Sequence, residues 1–493
     1  MAIDLSKKLG QLFFVGFEGY TLTKEIKDFL KLVQPGGIIF FECNIKDKKQ
    51  VKHLINEINN CLEIKPFIGV DQEGGSVERL RNICTSLPSV WGLSKAGLKE
   101  LLEAHKIIAS ELKELGFNLV FGPVLDINSN KANPVIGTRA ISNNPKIVSE
   151  YGDEIVKLYL KNNIIPVGKH FPGHGDLKID SHLSLPSLNK SLTELENFEF
   201  IPFKGAIKSH IPFIMVGHIQ LPKIEKDKKM PASLSKKIIN DLLKKNLGFK
   251  GLVITDELNM KGVTKNFSLL QASAEAILAG ADLLLYNHKQ NLTKQAFEYL
   301  KERSIKDKSL KHRIEESYKG IIKAKKKFLS GRDIACYVSK SNSQAVQSLA
   351  NKVIHWIKKD LFFTPPNKTN FIEIIYPDFH KIKKSDLISI LKEHNLKGYS
   401  FVPYTLNPGF DEIKSLLNKI RVKSQKIFIS YDIAARHGQK SLISSILKKD
   451  PQLTVISTGL EYDLELIPGI KNFIAAYAPN YISLRAAFKN ILS

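Results

Sequence analysis

Eight short apolar runs recur along the chain up to about residue 290, and most end on a charged or hydrogen-bonding residue. They are GQLFFVGF from Gly10, GGIIFFE from Gly36, PFIGVD from Pro66, FNLVFGP from Phe117, IIPVGKH from Ile164, PFIMVGH from Pro212, GLVITD from Gly251 and ADLLLYN from Ala281. Between them the spacing becomes helical. The clearest case is Leu98 to Leu115, where Leu101, Ile108, Leu112 and Leu115 share one face and Gly116 stops the helix. Runs that are apolar at consecutive positions are expected of parallel strands covered on both faces. Eight such units in ~250 to 400 residues predict a (β/α)8 TIM-type barrel. A doubly wound sheet, or an irregular barrel with a reversed or short strand, is the competing arrangement.

A lysine-rich helical stretch, RIEESYKGIIKAKKKF from Arg313, follows the last run. After a polar connector, alternation resumes with FIEIIYPD, KGYSFVPYT, KIFISYDI and LTVISTG, joined by helical stretches such as Asp411 to Lys423. This predicts a smaller α/β sandwich domain. A chain of 493 residues is long for one core. The expected division is a barrel over 1–330, a linker over 331–343 and a second domain over 344–493.

The polar residues that close the runs carry the chemistry. Asp71 closes the third, Asp126 follows the fourth, Lys169 and His170 close the fifth, His218 the sixth, Asp256 the seventh and Asn287 the eighth. In a barrel these strand ends surround one mouth. The densest cluster is KHFPGHGDLKIDSH from Lys169 to His182. Taken singly the residues allow plainer roles: Asp256 is equally a helix N-cap at a strand–helix junction, Asp180 and His182 a loop-stabilising pair, Arg139 a loop anchor. His437, in RHGQ, reads as a surface histidine.

Four separated motifs resemble glycoside hydrolase family 3, in its bacterial β-N-acetylglucosaminidase branch. They are DQEGG from Asp71, NPVIGTRA from Asn133, Lys169-His170 with Pro172-Gly173-His174-Gly175 and Asp180-Ser181-His182, and ITDELNM containing Asp256. The segment YDLELIPGIKNFIAAY from Tyr462 is similar to the second domain of two-domain members. The resemblance implies a retaining exo-β-N-acetylglucosaminidase with Asp256 as nucleophile, His182 as general acid/base and Asp180 as its partner. It also implies sugar contacts from Asp71, Arg79, Arg139, Lys169 and His170. Histidine suits the acid/base role because it titrates near neutrality, and an aspartate on its other ring nitrogen stabilises the imidazolium. The implied substrate is a terminal β-linked N-acetylglucosamine on a muropeptide or oligosaccharide, processed without a cofactor or metal. One departure is Ser76, where family members often carry arginine after DQEGG.

Charge changes this picture little. The formal net charge is +24, but the lysines are spread along predicted helices without interleaved aromatic residues, so a solvated surface is expected and no nucleic-acid partner. No apolar run reaches the ~20 residues that span a bilayer. The four cysteines show no paired spacing, as expected of a reducing compartment, so the expected location is cytoplasmic; the expected state is a monomer. Competing functions are a family 3 β-glucosidase, a β-N-acetylglucosaminide phosphorylase, a metal-dependent hydrolase using His170, His174 and His182, and an inactive sugar-binding protein.

Overall fold

The computed structural model describes residues 4–180, 183–330, 343–366 and 371–493. The eight runs form strands β1 (Phe13–Val15), β2 (Gly37–Phe40), β3 (Phe67–Val70), β4 (Leu119–Val120), β5 (Ile165–Phe171), β6 (Phe213–Val216), β7 (Leu252–Glu257) and β8 (Leu283–Tyr286). They close into one barrel in sequential order, and every pairing is parallel, including β1 to β8 through Phe13↔Leu284. No strand is reversed, although β4 is only two residues long.

The barrel interior is filled by large rings set against glycines on neighbouring strands. Phe14 meets Phe121 edge-on at 5.4 Å, and Phe67 meets Phe213 at 5.1 Å. A methyl group on Gly37 would lie 2.3 Å from the Phe14 ring, so a larger residue there would force that ring out of a close-packed core. At the amino-terminal floor, the buried Lys325 ammonium donates to Gln11 Oε1 at 2.7 Å and sits 5.4 Å from the Phe67 ring centre. Helix Leu98–Leu115 forms with the predicted limits. The lysine-rich stretch lies within helix Lys308–Leu329.

The second sheet contains β9 (Trp356–Lys358), β10 (Ile372–Pro377), β11 (Tyr399–Tyr404), β12 (Gln425–Ser430), β13 (Thr454–Ser457) and β14 (Asn472–Ala475). Their order is β9-β14-β13-β12-β10-β11, parallel except for the edge strand β9. Most of the expected linker lies outside the described residues, as does Cys336. Cys43, Cys61 and Cys84 are unbridged. Among the described residues no helix is long and apolar enough to cross a membrane.

The two sheets face each other by their carboxyl ends. Loops after β10, β13 and β14 reach loops after β3 and β4 of the barrel. Lys381 Nζ donates to the Ser76 carbonyl at 3.1 Å, Asn480 Nδ2 to the Leu87 carbonyl at 2.7 Å, and Trp91 Nε1 to Glu461 at 3.1 Å. Lys131 pairs with Glu465 at 2.7 Å. Between these loops lies a cleft of about 320 Å³ whose lining includes Ser76, Asn133, Thr138, Tyr431 and Tyr462. Carboxyl ends of parallel strands are where such folds place ligands, and here both sets open onto one space.

Candidate active site

Barrel closure brings Asp71, Lys169 and Arg139 into one charged network. Lys169 Nζ lies 2.7 Å from Asp71 Oδ1 and 2.6 Å from Glu73 Oε1. Arg139 forks onto Glu73, Nε to Oε2 at 2.8 Å and Nη2 to Oε1 at 2.9 Å, and also donates to the Val135 carbonyl at 3.2 Å. Burial alone would raise the Glu73 pKa, but Arg139 and Lys169 hold it well below the usual carboxylate range. Burial would lower the Lys169 pKa, and Asp71 and Glu73 raise it instead. Both cations are therefore charged and fixed in orientation before any ligand arrives.

A second network sets the histidines. Asp126 is fully buried and accepts the His170 Nδ1–H at 2.7 Å, the His170 backbone N–H at 3.2 Å and the His174 N–H at 2.6 Å. Burial opposes its charge, but His170 and His174 hold its pKa below the ordinary value. With Nδ1 committed, the other ring nitrogen of His170 is the one available to a ligand. His174 is pushed down to about 4 by burial, so it is neutral near pH 7 and suits a role in shaping the loop.

Asp256 stands at the carboxyl end of β7, and its Oδ1 accepts the Glu257 N–H at 2.8 Å. His174 is close enough to feel its charge. The next strand steadies this end. The buried His218, just after β6, donates from Nε2 to the Glu257 carbonyl at 2.8 Å and accepts at Nδ1 from Ser233 Oγ at 2.7 Å. His218 thus braces the backbone beside Asp256.

Asp180 lies on the loop after β5, where its carbonyl accepts the N–H groups of Leu183 and Ser184. His182 and Ser181 lie outside the described residues. The loop has two parts. Its first half is pinned: Asn133 Nδ2 donates to the His174 and Leu177 carbonyls at 2.8 and 3.0 Å, and Asn130 to those of Asp176 and Leu177. Beyond it, Lys178 and Ile179 are exposed. The two glycines around His174 therefore differ in purpose. Gly173 has φ +127°, which favours glycine. Gly175 is required by close approach, because a Cβ there would lie 1.7 Å from the Ile127 carbonyl oxygen. It anchors the loop.

Arg79 is bound through its backbone, N–H to the Asp71 carbonyl at 3.3 Å. Its Nε is buried with no hydrogen-bond partner among the described residues. Among those residues no group of three His, Cys, Asp or Glu side chains is arranged to hold a metal ion. Two residues of this centre, Glu73 and Asp126, have no role assigned from the sequence, although Asp126 is placed there among the strand-end groups. Glu73 has a signal in DQEGG, two positions from Asp71, and Asp126 in its place after the fourth run. What each pairs with depends on distant segments.

Several known proteins are similar to this chain. A β-hexosaminidase A from Pseudoalteromonas piscicida is 33% identical over 285 residues, which is 54% of this chain and 48% of that protein. The match thus spans about half of that relative's length. A β-hexosaminidase from Neisseria meningitidis is 33% identical over 281 residues, 55% of this chain and 77% of its own. The solved structure of a family 3 β-N-acetylglucosaminidase from a Paenibacillus species superposes with a TM-score of 0.90 at 30% identity, covering 99% of this chain and 97% of that one. Residues 4–323 match the glycosyl hydrolase family 3 N-terminal domain. On the closed barrel, its mouth and these likenesses, the chain belongs to glycosyl hydrolase family 3.

Proposed function

We propose that the protein is a retaining exo-β-N-acetylglucosaminidase that removes terminal β-linked N-acetylglucosamine, with peptidoglycan fragments in the cytoplasm as the natural source. Residues 1–330 would be the catalytic unit and 344–493 the second domain. Asp256 attacks the anomeric carbon and forms a glycosyl ester, and water then displaces it. His182, oriented by Asp180, protonates the leaving oxygen and afterwards deprotonates the water. Asp71 accepts hydrogen bonds from sugar hydroxyls, while Lys169, Arg139 and the outward ring nitrogen of His170 complete the grip, with Arg79 at its edge.

The observation that carries this reading is Asp256 at a strand end on the mouth that also holds the Lys169–Asp71–Glu73–Arg139 network. A carboxylate facing pre-oriented hydroxyl-binding groups suits attack on a sugar. The test compares an aryl β-N-acetylglucosaminide with the matching aryl β-glucoside, with chelator present. Preference for the acetamido sugar, together with a 2-fluoro-sugar adduct on Asp256 that is absent in Asp256→Ala, is the expected result. Preference for the glucoside removes the role given to His182. Turnover that requires phosphate and yields a sugar 1-phosphate replaces the hydrolase by a phosphorylase.

A further inference from the structure

The three most exposed large apolar side chains among the described residues stand on one face of the second domain. Leu361, Phe362 and Val422 are 96%, 85% and 94% exposed. They sit on two neighbouring turns, which Gln425 Nε2 ties together by donating to the Thr364 carbonyl at 2.9 Å. These turns precede β10 and β12, so the face is the amino-terminal edge of the sheet, at the opposite end from the loops that meet the barrel. Single exposed apolar residues are ordinary on a protein surface, but a cluster of large ones marks an interaction site.

The same face is strongly basic. Lys358, Lys359, Arg421, Lys423, Lys448 and Lys449 are exposed, and none of them has an ion-pair partner among the described residues. Three carboxylates lie among them, and each is committed. Asp360 pairs with Lys471 at 3.5 Å, Asp450 pairs with the buried Lys426 at 3.0 Å, and the buried Glu373 accepts the Arg421 backbone N–H at 2.9 Å. A cleft of about 470 Å³ opens between the turns, and its lining includes Phe362, Val422, Lys423, Lys426 and Lys449. Apolar tips and ammonium groups therefore border one recess. Lys448 and Lys449 follow the carboxyl end of helix His437–Leu447, whose partial negative charge favours cations there. That role leaves the exposure of Leu361, Phe362 and Val422 unaccounted for.

Water solvates the lysines but not the three apolar side chains. A partner that satisfies both is negative at its surface and apolar just beneath. A bilayer containing anionic lipid has this layering: apolar side chains enter the boundary between headgroups and acyl chains, while cations stay at the phosphates. Lysine suits such a fluid surface, because its long stem lies along apolar material and its head reaches the charge. The tips and cations come from three separate segments, 358–362, 421–423 and 448–449. That spread suits a broad surface better than a single peptide strand.

We propose that the amino-terminal edge of the second-domain sheet docks on an anionic phospholipid surface, with Leu361, Phe362 and Val422 entering the headgroup region and the surrounding lysines on lipid phosphates. No residue of the barrel mouth takes part, so this surface stands apart from the hydrolase reading.

Co-sedimentation of the full chain with vesicles tests the docking face. Vesicles of phosphatidylcholine alone are compared with vesicles of equal parts phosphatidylcholine and phosphatidylglycerol, at ~0.15 M salt. Binding to the anionic vesicles only, weakened by added salt, is the expected result. Lys423→Gln with Lys449→Gln should weaken it about twentyfold. Lys236→Gln with Lys237→Gln, an equal loss of charge from exposed barrel lysines, should change it less than about twofold. Leu361→Ser with Phe362→Ser should weaken it about tenfold or more. All these side chains are exposed, so the variants should keep the wild-type melting temperature. In a Phe362→Trp variant, anionic vesicles should shift the added emission to the blue, and a brominated lipid should quench it. Equal losses from the two lysine pairs would assign binding to net charge and overturn the docking face. Full binding by the Leu361→Ser, Phe362→Ser variant, or no binding to anionic vesicles by wild type, would overturn it as well. If polyglutamate releases the chain from vesicles and binds it with the same dependence on Leu361 and Phe362, the face belongs to an acidic protein and the lipid assignment falls.

Discussion

Replacing Glu73 by glutamine tests the charged network most directly. The Glu73 side chain is 3% exposed and is the shared counter-charge of Arg139 and Lys169. Glu73→Gln keeps the shape and removes the charge. Lys169 retains Asp71 at 2.7 Å, whereas Arg139 keeps only the Val135 carbonyl and a neutral amide. Breaking a buried pair by removing one partner costs ~3–5 kcal/mol, because the other charge stays buried. The partner retained by Lys169 places the expected loss at the lower end, ~3 kcal/mol. Urea unfolding at pH 7 of both proteins measures it. The pH dependence has a definite sign. The folded Glu73 pKa is held below its ordinary value of about 4.5, so its stabilisation is complete above that value and is lost as pH falls toward the folded pKa. The gap between wild type and Glu73→Gln should therefore be constant from pH 7 to about 5.5 and shrink below. Activity should fall about a hundredfold in kcat/KM, because the proposed sugar-binding groups lose their fixed positions. A stability difference under ~1 kcal/mol at pH 7, or one that does not narrow in acid, would refute the reasoning.

Three further outcomes follow, the first from the proposed acid role of His182 and the other two from the geometry. His182→Ala should slow hydrolysis of a disaccharide far more than that of an aryl glycoside with a good leaving group, since the latter needs little protonation; equal losses would remove His182 from the acid role. Gly175→Ala places a methyl group 1.7 Å from the Ile127 carbonyl oxygen, so it should cost ~1–3 kcal/mol and reduce turnover by displacing the loop that carries Asp180, whereas an unchanged melting temperature and rate would show that the loop is not anchored there. Lys325 is pushed by burial from 10.5 down to about 7, so folding stability rises with pH between those values; Lys325→Met should remove that rise, making the variant's advantage over wild type larger at pH 7 than at pH 9.5, and a pH-independent difference would contradict it.

The sequence by itself determined the barrel strands and the residues that close them. Continuous apolar runs reflect burial on both faces, and burial is written locally in residue type. For that reason Asp71, Asp256 and the Lys169-His170 pair were legible as strand-end groups, and helix Leu98–Leu115 was legible to its limits. The tertiary structure decided everything that depends on chain closure. Lys169 and Asp71 are 98 residues apart, and only the adjacency of strand ends makes them a pair. Glu73 stood inside a quoted motif, but its work as the counter-charge of Arg139 and Lys169 exists only once two loops meet the end of β5. Gly175 stands inside a quoted motif, but the Ile127 carbonyl that leaves no room for a Cβ there is brought beside it only by folding. The contact from Lys381 to Ser76 joins residues 305 apart through two domains facing by their carboxyl ends. Local patterning records which side chains are buried, whereas pairing among charges is a property of the space that the folded chain encloses.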